Sequence, residues 1–98
     1  MSNINVTTQK LSMEKIPPQN TEAEIALLGS MLIEEAAISK AIELIDAGAF
    51  YKESHRIIYK TMLDLFNRNS AIDLITLIEE LKKRGELDNS GGAAYLTS

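Results

Sequence analysis

The stretch FYKESHRIIYKTMLDLFNR, Phe50 to Arg68, decides the fold. At about 100° per residue, Tyr51, His55, Ile58, Tyr59, Met62, Leu65 and Phe66 share one broad arc of a helix. Glu53, Arg56, Lys60, Asp64, Asn67 and Arg68 fall on the other side, the pattern of a helix half sunk in a core. Leu63 widens the apolar arc, and Ile57 stands apart from it among the charges. So much apolar side chain on one helix needs neighbours on more than one flank. The expected fold class is therefore all-α: a compact bundle of about five to six short helices around a central helix at about 50–68.

Upstream, Met1 to Ile16 is polar with scattered apolar residues and no period, which reads as a flexible arm. Pro17-Pro18 fixes an extended entry into a head domain at 17–98. Thr21-Glu22-Ala23-Glu24 has the form of a capping box, Thr21 at N-cap and Glu24 at N3. The first helix then carries Ile25, Leu28 and Leu32 as its expected core stripe, with Met31 and Leu27 on one shoulder and Gly29 on the other. A helical Gly costs about 1 kcal/mol relative to Ala, and close approach by a neighbouring helix is the expected compensation. Ile38, Ala41, Ile42 and Ile45 lie more than about 90° out of phase with that stripe, which predicts two helices with a turn near Glu34-Glu35.

Downstream of the central helix, Asp73 is the expected N-cap of another helix, with Ile72 and Leu77 as a hydrophobic staple. Leu74, Leu77, Ile78 and Leu81 form its stripe, Glu79–Lys83 and Glu80–Arg84 are expected solvent-face pairs, and Gly85 stops it. Lys82-Lys83-Arg84 reads as a last turn complementing the helix dipole. Ala93-Ala94-Tyr95-Leu96 resumes helical character, and a stop at Ser98 inside those turns reads as a fragment of a longer protein.

The composition narrows the function. A chain of 98 residues with 45% hydrophobic residues suits one modest core. A net charge of −4 gives no electrostatic footprint for direct nucleic-acid binding by this domain. There is no Cys and only one His, so disulfides, thiolate metal sites and a His-rich zinc site are excluded. No apolar run is long enough for a membrane span, and the amino end lacks a secretory pattern, which points to the cytoplasm.

No glycine is followed by Lys, so GxxxxGK[ST] is absent. His55 is the only imidazole available to a nucleophilic triad, and it sits mid-arc beside Tyr51, Ile58, Tyr59 and Met62. It is expected to be buried and structural, with burial disfavouring its protonated form. No catalytic, cofactor-binding or metal residue is assigned in this chain. The one candidate protein-interface residue is Ile57; the alternative is that the second helix or the arm covers it within the same subunit.

Several blocks recur together. PPQNTEAEIALLGSML, FYKESHRIIYKTMLDLF, IDLITLIEELKKRGEL and GGAAYL, from Pro17 to Leu96, resemble the amino-terminal domain of bacterial replicative DNA helicases, the DnaB family. That family often has Asp-Pro where this chain has Glu34-Glu35, in line with the turn placed there. The resemblance implies an all-helical head in a hexameric, ATP-driven helicase, followed by a helical hairpin, a linker and a RecA-like motor. ATP and Mg, the catalytic carboxylate and the DNA-binding loops belong to that motor, so no cofactor is implied for this fragment. The implied work of the head is to pair with other helicase subunits in a collar and to recruit primase and, in some species, a loader. Without the hairpin, the isolated head is expected to be a monomer or weak dimer. A free-standing adaptor that copies the head, and a small helical enzyme using His55, are the competing readings.

Overall fold

The computed structural model describes residues 20–97, so the arm expected at 1–16 and the Pro17-Pro18 entry lie outside the described residues. Among the described residues five α-helices follow in order: α1 (Thr21–Ile33), α2 (Glu35–Leu44), α3 (Glu53–Asn67), α4 (Leu74–Lys83) and α5 (Gly92–Thr97). A 3-10 turn at Ala47–Ala49 joins α2 to α3, and the described residues contain no strand. The architecture is all-α, with α3 at its centre, packed against α1, α2, α4 and the 3-10 turn, while α5 packs on α4.

Helix ends form where the local chemistry demands. Glu34 leaves helical space at φ −126° and ψ 120°, and its N–H returns to Ser30 O, so the phase jump between α1 and α2 is a turn at the place expected. Asn69, at φ 59°, closes α3: its N–H donates to Phe66 O and that of Ser70 to Leu65 O. Gly85, at φ 69°, closes α4 in the same way, with its N–H on Lys82 O and that of Glu86 on Leu81 O. Asp73 caps α4 by accepting from Thr76 N–H at 2.8 Å.

The core differs from the expected stripes in instructive ways. The central helix starts at Glu53 rather than Phe50, which leaves Phe50 and Tyr51 in the connection. Phe50 is buried all the same, its ring 4.9 Å from that of Tyr59, whereas Tyr51 is exposed. Arg56 pins this connection, donating from one guanidinium nitrogen to Phe50 O and Tyr51 O. Ile57 is only 9% exposed and belongs to the hydrophobic core. That burial agrees with the alternative that the same subunit covers Ile57.

On α1 the buried residues are Glu24, Leu28 and Met31, while Ile25 is 47% exposed. The buried stripe is thus rotated by about one residue from the apolar one, because a carboxylate occupies its first position. Thr21 is the first residue of α1, not its cap, and the N-cap residue Asn20 makes no side-chain cap bond. On α4, Glu80 is likewise buried and not on a solvent face. Its Oε2 accepts from Arg84 Nε at 3.0 Å and its Oε1 from an Arg68 guanidinium nitrogen at 3.1 Å. Arg84 also reaches Asp64 at 2.9 Å, so one cluster of ion pairs fastens α4 to α3.

Candidate functional site

His55 lies in the first turns of α3 at 1% exposure, and both of its ring nitrogens have partners. Nδ1 is 2.6 Å from Glu24 Oε1 on α1, and Nε2 is 2.6 Å from the Tyr95 hydroxyl on α5. The second oxygen of Glu24, itself fully buried, accepts the Tyr51 backbone N–H at 2.8 Å. The Tyr51 N–H donates to Glu24, and in the tautomer with its proton on Nδ1 the imidazole donates to Glu24 and accepts at Nε2 from the Tyr95 hydroxyl. Among the described residues no buried side-chain nitrogen or oxygen lacks a partner.

This relay draws one residue from each of three separate elements. The helical period places Glu24 four residues before Leu28, on the inward face of α1. Tyr95 reaches His55 because Gly91, at φ 107°, leaves room for its ring: a Cβ at Gly91 would stand 2.5 Å from Tyr95 Cδ2. Lys52 Nζ lies over the same ring, 5.6 Å from its centre.

Carboxylate, imidazole and hydroxyl in this order resemble a nucleophilic triad, so the chemistry needs testing. An activated nucleophile has its pKa lowered. The Tyr95 hydroxyl is shifted the other way: burial, and then the nearby Glu24 charge, push it above the ordinary tyrosine range. The arrangement is a buried tie between elements. Among the described residues no cluster of three or more His, Cys, Asp or Glu is placed to hold a metal ion. No described helix is long and apolar enough to cross a membrane.

Beside the relay an apolar cleft of about 210 Å³ opens between α1, α3, α4 and α5. Ile25, Gly29 and Leu32 of α1, Met62 of α3, and Tyr95 and Leu96 of α5 are among the residues that line it. No atom stands within 4 Å of a Cβ built on Gly29, so the close helix approach expected there is corrected: the missing side chain widens the cleft. Sequence reasoning placed His55 correctly in the core but missed Glu24 and Tyr95 as its partners. Their signal was present, since each lies in a different block of the family resemblance and an acid sits in helical phase with Leu28 and Met31.

Residues 16–98 match the family described as the DnaB-like helicase N-terminal domain. The chain is 43% identical over 83 residues to the replicative DNA helicase DnaB of Rhodothermus marinus, covering 85% of this chain and 9% of that protein. It is 40% identical over 84 residues to the replicative DNA helicase DnaC of Bacillus subtilis strain 168, covering 86% of this chain and 18% of the relative. The chain therefore spans less than a fifth of the length of either relative. The crystal structure of the N-terminal domain of DnaB helicase from Mycobacterium tuberculosis superposes with a TM-score of 0.78 at 41% identity, over 83% of this chain and 59% of that one.

Proposed function

The chain belongs to the family of DnaB-like helicase N-terminal domains, and from that premise we propose that it is the assembly and partner-binding head of a hexameric, ATP-dependent replicative DNA helicase. The observation that carries the reading is the match of residues 16–98 to that domain, supported by the superposition on a solved example. The head works as a rigid helical block. It contributes to a collar of amino-terminal domains and offers surfaces to primase and to a loader. ATP and Mg binding fall to the motor regions that full helicases have and that this chain does not match. The absence of a GxxxxGK[ST] motif and the net charge of −4 agree with a head that neither hydrolyses nucleotide nor grips DNA itself.

The test uses a full-length helicase carrying this head and a version lacking residues 17–98. Loss of primase recruitment and a weakened ring, with ATP hydrolysis by the motor retained, is the expected result. Unchanged primase binding and unchanged hexamer stability in the deletion would overturn the proposal.

A further inference from the structure

We propose that the end of the bundle where α1 meets α2 and the approach to α4 is a docking surface for a basic, amphipathic helix of another protein, with Ile33, Ile72 and Ile75 as its apolar anchors and Glu34, Glu35 and Asp73 as its acidic border. This gives a surface and a partner chemistry to the partner-binding head proposed above, and it rests on that reading. A shallow hollow of about 290 Å³ lies at this end, lined by Ile33, Glu35, Ile38, Ala71, Ile72 and Asp73.

Ile33 is the last residue of α1 and Ile75 sits in the first turn of α4, at 83% and 75% exposure. Neither belongs to the hydrophobic core. Isolated exposed apolar side chains are ordinary, but several gathered at one hollow mark a contact surface. Here Ile33 shares the hollow with Ile72, and Ile75 follows Ile72 by three residues. The surface is remote from the buried relay. At about 1.5 Å per residue, Ile33 lies about 14 Å along α1 from Glu24.

Charge selects the occupant. Glu34, Glu35 and Asp73 are exposed, and so is Glu79, one turn beyond Ile75 on α4. Hydrogen bonds from Thr76 hold the Asp73 carboxyl below the usual carboxylate range, so it stays charged. No Lys or Arg is among the residues that line the hollow. The exposed Lys82 and Lys83 stand at the other end of α4, about 10 Å or more from Ile75 along the axis. An apolar hollow with a border of one sign fits a helix whose aliphatic face is flanked by Lys and Arg. A second copy of the chain offers no such face in its most basic stretch, because Leu81, just before Lys82 and Lys83, is fully buried.

The probe is a short synthetic helix of Leu and Lys with its leucines on one face, carrying a fluorophore and titrated with the chain by anisotropy. A scrambled peptide of the same composition and one with Glu in place of Lys serve as controls. Binding of the Leu/Lys helix alone is expected, weakened roughly tenfold by Ile33→Ser or Ile75→Ser and also reduced by Glu35→Lys and by added salt. Leu44→Ser, at a residue 77% exposed on the far end of α2, should leave the affinity unchanged. All four substitutions replace exposed residues, and their melting curves should follow the parent chain. No binding, equal binding of the scrambled peptide, or binding indifferent to Ile33→Ser and Ile75→Ser would overturn the proposal. A dimer of the chain in sedimentation that Ile33→Ser abolishes would make a second copy the occupant and would overturn it too. Such a failure leaves the reading of the head standing where deletion of the head, in the experiment above, still abolishes recruitment.

Discussion

Glu24 and His55 are 31 residues apart in sequence, and their side chains meet in the core with Oε1 2.6 Å from Nδ1. The contact joins α1 to α3, and through Oε2 it also holds the backbone N–H of Tyr51 at the entry to α3. A carboxylate with no solvent exposure is tolerable only because both of its oxygens are engaged.

Replacing Glu24 should therefore be among the costliest single changes in the domain. Glu24→Ala leaves His55 Nδ1 and Tyr51 N–H without their acceptor and empties space in the core. We expect a loss of about 3 kcal/mol in chemical denaturation. Glu24→Gln keeps the volume and one acceptor oxygen, and should lose less than half as much. Equal stability of Glu24→Ala and the parent chain would show that the relay contributes nothing to folding.

Two glycines should respond in opposite directions. Gly29 is helical, with nothing within 4 Å of a would-be Cβ, so Gly29→Ala should stabilise by about 0.5–1 kcal/mol. In a chain of this size that raises the melting temperature by about 2–8 °C. Gly91 has φ 107° and would place a Cβ 2.5 Å from the Tyr95 ring. Gly91→Ala should lower the melting temperature and unseat α5, visible as a shift in the Tyr95 ring resonances.

Tyr59 is fully buried, and its hydroxyl donates to Ala41 O at 3.1 Å and Ile45 O at 2.7 Å, meeting the carbonyls at the end of α2. Tyr59→Phe should cost about 1–2 kcal/mol. Burial, and then the Asp46 charge, raise the hydroxyl above its ordinary pKa of 10.0. The native state thus holds this proton longer than the unfolded chain does. Its contribution is complete below pH 10.0 and declines as the pH rises beyond it. Alkaline denaturation of Tyr59→Phe should lack that part of the decline.

Glu80 titrates in the opposite sense. Hydrogen bonds from Arg84 and then Arg68 lower its carboxyl below the ordinary value of 4.5. Its contribution is present above that value and is lost as the pH falls through the lowered one. Glu80→Gln should destabilise at neutral pH and flatten the acid limb of the stability curve. Acid limbs that run parallel in the two proteins would show that the ion-pair cluster does not couple to folding.

The helical class, the turn at Glu34-Glu35, the Asp73 cap and the Gly85 stop were legible in the linear sequence, because each depends on interactions within a few residues. The family was legible too, since the blocks from Pro17 to Leu96 recur as a set. Apolar periodicity did not reveal which face of α1 turns inward. It counts Glu24 as polar and Ile25 as buried, whereas packing buries Glu24 fully and leaves Ile25 47% exposed. That inversion depends on His55 and Tyr51, which only the packing of α1 against α3 brings within reach. Ile57 shows the same limit, being isolated on a helical wheel and covered once neighbours surround α3. Local propensity determined the turn at Glu34, the cap at Asp73 and the stop at Gly85, but not the first residue of α1 or of α3. The pairing of distant polar groups, which no short window of sequence contains, decided how they face one another.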